Sequence, residues 1–153
     1  MKEAHPEYDL IVIGGGCAGL SLARLLIENG SNLRVLIVEH RDAYSDDRTW
    51  CFWEKSDHSL KNLEAKVWAT WQFSCADDDI YSHKSNSDLA YRCIRSASFY
   101  KHVQNHIDKS THLSLMMSVR VKDIQENAKS VSLTTDRGEF CSRWVIDTRP
   151  LRD

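Results

Sequence analysis

An apolar run at residues 8–13 leads directly into three consecutive glycines that begin at Gly14. A short run rich in isoleucine, valine and leucine is typical of a fully buried strand, and the glycines predict a tight turn after it. Apolar residues then recur at helical spacing over residues 17–29, and Gly30 follows where a helix C-cap is expected. The chain therefore opens with a buried strand, a glycine turn and a helix.

A second buried strand is predicted at residues 33–38, and it ends at Glu39. Strand, helix and strand joined by short links are typical of an α/β fold with a parallel sheet and a right-handed crossover. With 42% hydrophobic and 27% charged residues, a chain of 153 residues can bury a core without disulfides or a structural metal. The predicted fold class is therefore α/β, with a Rossmann-like domain.

The rest of the chain is predicted to be rich in strands. One strand is expected at residues 67–74 with a hairpin partner at residues 80–83. Another is expected at residues 91–95, followed by a helix that begins at Ser96 or Ser98. Four short β-favouring runs come next, and they predict a β-meander that feeds a closing strand: residues 113–117, 119–125, 131–135 and 140–146. Within the last run, residues 144–146 are predicted to be buried.

The glycines follow the pattern Gly14-x-Gly16-x-x-Gly19, between the predicted strand and the predicted helix. The first glycine permits the tight turn, the second lets a pyrophosphate approach the backbone, and the third allows close packing of helix on strand. The unpaired amides at the start of the helix would meet the phosphates, where the helix dipole also favours negative charge. The candidate binding residues of this loop are Gly14, Gly15, Gly16, Cys17, Ala18 and Gly19.

Glu39 lies twenty residues after Gly19, at the end of the second predicted strand. A carboxylate at this position accepts hydrogen bonds from a ribose and repels a 2′-phosphate. Asp147 follows the predicted closing strand and leaves two interpretations open, a second cofactor contact or a strand-end acid. The glycine loop and Glu39 together predict a dinucleotide site.

Charge and cysteine usage exclude several other classes of function. The net charge of −2 disfavours nucleic acid as a partner. The five cysteines are scattered without a Cys-x-x-Cys pair and are typical of cytoplasmic thiols. The apolar stretch at residues 10–27 is interrupted by glycines and Arg24, so neither a signal peptide nor a membrane span is predicted. No metal site is expected, because residues 77–79 are predicted to form a solvated turn and His102 and His106 lack a third ligand.

Longer motifs carry a resemblance to a known family. They are Tyr8-Asp9 before the glycines, the aromatic block Arg48-Thr49-Trp50-Cys51-Phe52-Trp53-Glu54 after Asp47, Tyr91-x-x-Ile94, Phe99-Tyr100-x-x-Val103, and Val145-Ile146-Asp147-x-Arg149-Pro150. Over its whole length the sequence resembles the flavin-dependent lycopene β-cyclases of carotenoid biosynthesis, most closely those of the flavobacterial type. The aromatic block is the specific part of this resemblance. The glycine loop and the order of elements recur in many flavin monooxygenases and isoprenoid reductases.

The resemblance implies an FAD-binding Rossmann-like domain of the glutathione-reductase or hydroxylase type, of which residues 1–153 are the N-terminal part. The glycine loop and Glu39 would hold the adenosine diphosphate half of FAD, and the backbone near Val121 would meet the adenine. Members of the family are much longer, so the chain is expected to be truncated, with the rest of the domain, the substrate region and the catalytic acid beyond Asp153. No catalytic residue is therefore expected in this chain, which alone would be inactive.

The resemblance also implies a chemistry, a non-redox intramolecular lyase or isomerase reaction on lycopene or a related carotenoid. A terminal double bond would be protonated, the ring would close through a carbocation, and proton loss would give a β-ring. The flavin is expected to be required in its reduced form, with NAD(P)H as a candidate electron source. Trp50 and Trp53 would line the substrate cavity and stabilise the cation through their ring faces, unless they belong to the core. Because the substrate resides in the bilayer, the cytoplasmic protein is expected to contact the inner membrane peripherally.

Two other interpretations remain open. The chain can instead belong to another FAD-dependent oxidoreductase, a monooxygenase or an isoprenoid reductase, although the aromatic block disfavours that class. It can also be a non-catalytic remnant. Oxidation of NAD(P)H tests the first alternative, and retention of yellow flavin by the purified protein tests the second.

Overall fold

The computed structural model describes residues 6–75, 80–84 and 88–150, so the turn predicted at residues 77–79 lies outside the described residues. The elements in chain order are β1 (Tyr8–Ile13), α1 (Cys17–Glu28), β2 (Val35–Val38), β3 (Thr49–Glu54), a short 3-10 helix (Lys61–Leu63), β4 (Glu64–Trp68), β5 (Thr70–Ser74), β6 (Ile80–Lys84), β7 (Ala90–Arg95), α2 (Ser96–Ile107), β8 (Leu113–Met116), β9 (Val121–Glu126), β10 (Val131–Thr135) and β11 (Gly138–Asp147). They form two compact units. The first unit runs to Tyr44 and resumes at Lys101, and the second unit spans Ser45–Tyr100.

The first unit contains a six-stranded mixed sheet in the order β8-β2-β1-β11-β10-β9. Strand β1 pairs in parallel with β2 on one side and with β11 on the other, and β2 pairs in parallel with β8. Strands β9, β10 and β11 pair antiparallel as a meander. The sheet confirms the predicted α/β class with a β-meander.

The central strands are covered on both faces, which is why β1 and β2 are continuous apolar runs in the sequence. All four residues of β2 are buried, as are the last four of β1. One face carries the core cluster Ile11, Ile13, Leu36, Val38, Val119 and Leu133. Helix α1 packs on the opposite face, where a Cβ added to Gly19 would lie 3.2 Å from Val12 Cγ1 and where Leu20 and Ala23 are buried.

Strand β8 differs from the prediction. Residues 113–117 were expected to begin the meander, but β8 pairs in parallel with β2 and extends the parallel part of the sheet. A short apolar run carries no information about its neighbour, because parallel and meander strands of this length have similar compositions. The meander therefore has three strands, beginning at Val121.

The burial predicted for residues 144–146 is wrong. Trp144 is 72% exposed and Ile146 is 41% exposed, and only Val145 between them packs against the core cluster. Trp144 and Ile146 share a sheet face with their register partners on β1, Leu10 and Val12. That face is covered at β1 but, within the described residues, it is open at β11.

The second unit contains a three-stranded sheet, β3-β7-β4, and the hairpin β5–β6. Strand β7 pairs antiparallel with both β3 and β4. The hairpin confirms that residues 80–83 pair with the strand before them. The prediction of one strand at residues 67–74 is wrong, because the chain changes sheet at Ala69 and β-favouring residues on both sides conceal that break.

Arg92 on β7 holds a buried ionic network in the second unit. Its Nη1 donates to Glu64 Oε1 at 2.5 Å, and its Nε donates to the Glu54 carbonyl at 2.8 Å. His58 Nε2 lies 2.7 Å from the same Glu64 oxygen. Burial acts to raise the pKa of Glu64, but the hydrogen bonds and charges of His58 and Arg92 outweigh it and lower that pKa. The Arg92 side chain thus links β7 to a carboxylate on β4 and to a backbone carbonyl on β3.

Candidate functional site

The glycine turn after β1 leaves the start of α1 open to an anion. Gly14 has a φ of +102°, which favours glycine. Gly16 is the N-cap of α1, no side chain among the described residues caps the helix, and a Cβ added to Gly16 would meet none of their atoms within 4 Å. Cys17 and Ala18, the first two helical residues, are exposed. Since the first amides of a helix lack carbonyl partners within it, this end of α1 is suited to bind a phosphate.

Gly19 sets the distance between α1 and the glycine turn. A Cβ at this position would overlap the Gly14 carbonyl oxygen, in addition to its contact with Val12. The overlap is with backbone, which cannot move aside as a flexible side chain can. Gly19 is therefore required for the close approach of helix and strand that the third glycine of such loops provides.

Glu39 follows β2 directly, and its side chain is 2% exposed. Its Oε2 accepts the Gly15 N–H at 2.7 Å and Arg41 Nη2 at 3.1 Å. Its Oε1 accepts the Arg41 backbone N–H at 2.9 Å and lies 2.9 Å from His40 Nδ1. Burial acts to raise the pKa of Glu39, but the hydrogen bonds from Arg41 and Gly15 and the charge of Arg41 outweigh it and lower that pKa. Glu39 is thus an ionised carboxylate held directly against the glycine loop.

Two residues that were not predicted as part of the site also donate hydrogen bonds to the glycine loop. The Tyr44 hydroxyl donates to the Gly15 carbonyl at 2.8 Å, and Arg41 Nη2 donates to the same carbonyl at 3.2 Å. The Arg41 guanidinium carbon lies 4.9 Å from the centre of the Tyr44 ring. Both residues lie in a polar loop without periodicity, so only their closeness to Glu39 in the chain indicated a role.

Thr148, near the far end of the chain, is hydrogen-bonded to the glycine turn. Its N–H donates to the Ile13 carbonyl at 2.9 Å, and its hydroxyl donates to the Gly14 carbonyl at 3.1 Å. Asp147, one residue earlier, is ion-paired with Arg149 at 2.7 Å, and the hydrogen bond from Arg149 lowers the pKa of Asp147. The parallel pairing of β11 with β1 brings these residues to the glycine turn, and a cofactor contact at Asp147 stays a prediction.

Val121 begins β9, and its half-buried side chain packs against the core cluster. The segment before it runs past the end of β2, where the Val119 N–H donates to the Glu39 carbonyl at 2.9 Å and the Ser118 N–H donates to the Arg41 carbonyl at 2.8 Å. Ser118 adopts a left-handed φ of 59° in this segment. The backbone before Val121 is thus tied to the Glu39 loop, and its contact with an adenine stays a prediction.

The aromatic block forms strand β3, and alternation along the strand separates its two tryptophans. Trp50 packs edge-on against Phe99 and Tyr100, with ring centroids 5.2 and 5.4 Å away. Phe99 and Tyr100 are each 2% exposed, and Phe52 packs edge-on against a different ring, that of His58. Trp50 therefore contacts the packed interior of the second unit.

Trp53 lies on the opposite face of β3 and is 42% exposed. Its ring centroid lies 5.0 Å from that of Tyr91 and 5.9 Å from that of Trp71. Further ring contacts extend this group to an aromatic cluster, which comprises Trp53, Trp68, Trp71, Phe73, His83 and Tyr91. The cluster gives the second unit an exposed apolar surface, and its contact with a substrate is untested.

Solved structures support the fold. The p-nitrophenol 4-monooxygenase PnpA from Pseudomonas putida DLL-E4 is similar with a TM-score of 0.73 and 14% identity, covering 98% of this chain and 42% of that chain. PqsL, a probable FAD-dependent monooxygenase from Pseudomonas aeruginosa, is similar with a TM-score of 0.67 and 16% identity, covering 90% and 41%. These similarities confirm the predicted Rossmann-like fold. None of the helices in the described ranges combines the length and apolarity needed to cross a membrane.

Sequence comparison identifies the family. Lycopene beta-cyclase from Pantoea ananas is 26% identical over 151 residues, which are 95% of this chain and 36% of that protein. The chain thus spans about a third of the length of this curated relative. A family model described as lycopene cyclase protein matches residues 9–153. Because that match covers nearly the whole sequence, the protein belongs to the lycopene cyclase family.

Proposed function

We propose that this chain binds the adenosine diphosphate half of FAD as the nucleotide-binding part of an enzyme that forms β-rings on lycopene or a related carotenoid. The observation that carries the proposal is the open start of α1 beside the ionised Glu39, because these two features match the pyrophosphate and the ribose of a dinucleotide. Membership of the lycopene cyclase family supports the substrate class.

The residues of the first unit fit an adenine dinucleotide. The amides of Gly16, Cys17 and Ala18 would donate to the pyrophosphate oxygens. Glu39 would accept ribose hydroxyls, and since its side chain is already hydrogen-bonded, a ribose would exchange with an existing partner. His40 is 70% exposed and Arg41 is 24% exposed, so these two are the partners that can leave, whereas the Gly15 N–H stays in place.

The proposed reaction consumes no reducing equivalents. A proton adds to a terminal double bond of the carotenoid, the neighbouring double bond closes the ring through a carbocation, and loss of a proton gives the β-ring. When bound, reduced FAD would supply electron density that stabilises the cation, with NAD(P)H as the source of electrons. We assign no proton donor to this chain. Its own residues would hold the nucleotide and, through the aromatic cluster, exclude water from the polyene.

The Glu39→Ala variant tests the nucleotide site. It should weaken binding of FAD and of adenosine diphosphate ribose roughly ten- to a hundredfold, because a charge-assisted hydrogen bond worth about 1.5–3 kcal/mol is lost. Glu39→Gln keeps an acceptor for the Gly15 N–H and should show a smaller loss. Isothermal titration calorimetry of the purified proteins measures both affinities. The matched control is Glu126→Ala, because Glu126 is an exposed glutamate at the end of β9. A loss below about twofold for Glu39→Ala would contradict the ribose role.

A pair of tryptophan variants tests the substrate surface in the longer enzyme. Trp53→Leu should lower turnover of lycopene per bound flavin and should lower the melting temperature less than Trp50→Leu does, because Trp53 is 42% exposed whereas Trp50 packs against two buried rings. Trp50→Leu should instead lower the melting temperature, because each edge-on contact with Phe99 and Tyr100 contributes about 0.5–1.5 kcal/mol. Both quantities are measured on one preparation. Equal, purely catalytic losses at the two positions would contradict this division.

Two assays separate the proposal from the alternatives. Flavin-loaded enzyme that oxidises NAD(P)H in step with substrate consumption would indicate a monooxygenase or reductase. Purified protein that retains no yellow flavin and gains none on titration with FAD would indicate a non-catalytic remnant. A cyclase should bind FAD and convert lycopene to a β-ring product of unchanged mass.

A further inference from the structure

Two cysteines that are far apart in the sequence, Cys51 on β3 and Cys93 on β7, lie directly opposite each other in the second unit. The backbone bonding fixes the kind of pair they form. The Ser96 N–H donates to the Arg48 carbonyl at 3.0 Å, so the register makes these two residues a hydrogen-bonded pair at the end of the ladder. Hydrogen-bonded and non-hydrogen-bonded pairs alternate along antiparallel strands. Cys51 and Cys93, three positions further along, therefore form a non-hydrogen-bonded pair.

Non-hydrogen-bonded pairs bring opposing Cα atoms to about 4.5 Å and hold their side chains closer together than hydrogen-bonded pairs do. That distance falls within the range of about 4.4–6.8 Å over which a disulfide joins two Cα atoms. Burial raises the pKa of Cys93. A hydrogen bond between the Cys93 and Cys51 thiols raises that pKa further, so the two thiols are in contact. Cys51 is exposed and Cys93 is buried, so a dissolved oxidant has access to Cys51 before Cys93.

We propose that Cys51 and Cys93 are a modification site, a thiol pair that a peroxide converts into a reversible cross-strand disulfide. The Cys51 sulfur attacks one peroxide oxygen, the O–O bond breaks, and Cys51 becomes a sulfenic acid as one water leaves. The Cys93 sulfur then attacks the Cys51 sulfur, the S–O bond breaks and a second water leaves. Two thiols and one hydrogen peroxide give one disulfide and two waters, and a dithiol reductant reverses the change.

The position of the pair gives the disulfide a local effect. Trp53 and Tyr91 are the next non-hydrogen-bonded pair along the same two strands, on the same face. A covalent link at Cys51 and Cys93 would hold β3 to β7 beside the aromatic cluster and would restrict their local opening. The oxidised protein should therefore melt higher than the reduced protein, by about 5 °C or more.

The test is disulfide mapping of the purified protein after treatment with hydrogen peroxide. Peptides are separated without reductant and identified by mass spectrometry, with and without later addition of dithiothreitol. We expect a linked peptide pair containing Cys51 and Cys93 as the dominant product, at a mass two hydrogens lower than the sum of the free peptides, and its loss on reduction. Cys75→Ser and Cys141→Ser are the matched controls and should leave its yield unchanged, whereas Cys51→Ser should abolish it.

Two results would overturn the proposal. One is oxidation of Cys51 to sulfinic or sulfonic acid without any linked peptide. The other is linkage spread evenly over the five cysteines, which are Cys17, Cys51, Cys75, Cys93 and Cys141. Mapping uses the unsubstituted protein, so neither result depends on whether a buried cysteine tolerates replacement.

Discussion

Replacing Gly16 by valine is expected to weaken FAD binding by at least about a hundredfold while leaving the protein folded. The fold should survive because, in the part of the chain that the structure describes, a Cβ at Gly16 meets no atom within 4 Å, and because a φ of −82° and a ψ of −162° suit any residue. The branched side chain would instead fill the space through which phosphate oxygens approach the start of α1. Titration with FAD measures the loss of binding, and circular dichroism measures the retention of the fold.

Gly19→Val is the contrasting variant. Its side chain would overlap the Gly14 carbonyl oxygen, so it should lose folding and FAD binding together. If Gly16→Val bound FAD as tightly as the unsubstituted protein, the pyrophosphate would not lie at the glycine loop.

Arg92→Met is expected to lower the free energy of unfolding by about 1.5–3 kcal/mol, because Glu64 keeps its contact with His58 but loses its charge-assisted hydrogen bond from Arg92. The Glu54 carbonyl would also lose its donor. Urea unfolding followed by tryptophan fluorescence measures this loss of stability, because four of the five tryptophans lie in the second unit and only Trp144 lies in the first.

Arg34→Met is the matched control for Arg92. Arg34 forms an exposed ion pair with Asp9, and losing such a pair changes stability by at most about 1 kcal/mol. The double variant Arg92→Met with Glu64→Gln should recover part of the stability, because it removes the carboxylate charge that has lost its ion pair with Arg92. A loss below about 1 kcal/mol for Arg92→Met would mean that His58 and solvent compensate Glu64 and that the ion pair with Arg92 adds little to stability.

The order of elements around the glycine loop was predictable because its determinants are local. The run at Tyr8–Ile13, the glycine spacing and the helical periodicity after Cys17 each lie within a few residues of one another. Glu39 was predictable for the same reason, since it ends the next strand. These features need no knowledge of distant parts of the chain.

Features that depend on distant parts of the chain were missed. The exposure of Trp144 depends on which elements cover the sheet, and the parallel pairing of β8 depends on the strand order. The sequence around each of these elements does not determine either property. Arg41, Tyr44 and Thr148 reach the glycine turn from loops, where polar residues show no periodicity. The Cys51–Cys93 pair depends on the register of two strands, which the spacing of cysteines in the sequence does not reveal.

The bond from Thr148 to the glycine turn has a consequence for the order of events during synthesis. The hydroxyl of Thr148 meets the Ile13 and Gly14 carbonyls across separations of 135 and 134 residues. Strand β1 also pairs with β11 in the sheet, and this pairing cannot form before β11 has been synthesised. At about 5–20 residues per second, a ribosome needs roughly 6 to 27 seconds to synthesise the chain from the end of β1 to residues 138–148. Until then one edge of this apolar strand lacks its partner, so the nucleotide site can form only after β11 has been made, and faster elongation would shorten the time for which that edge is exposed.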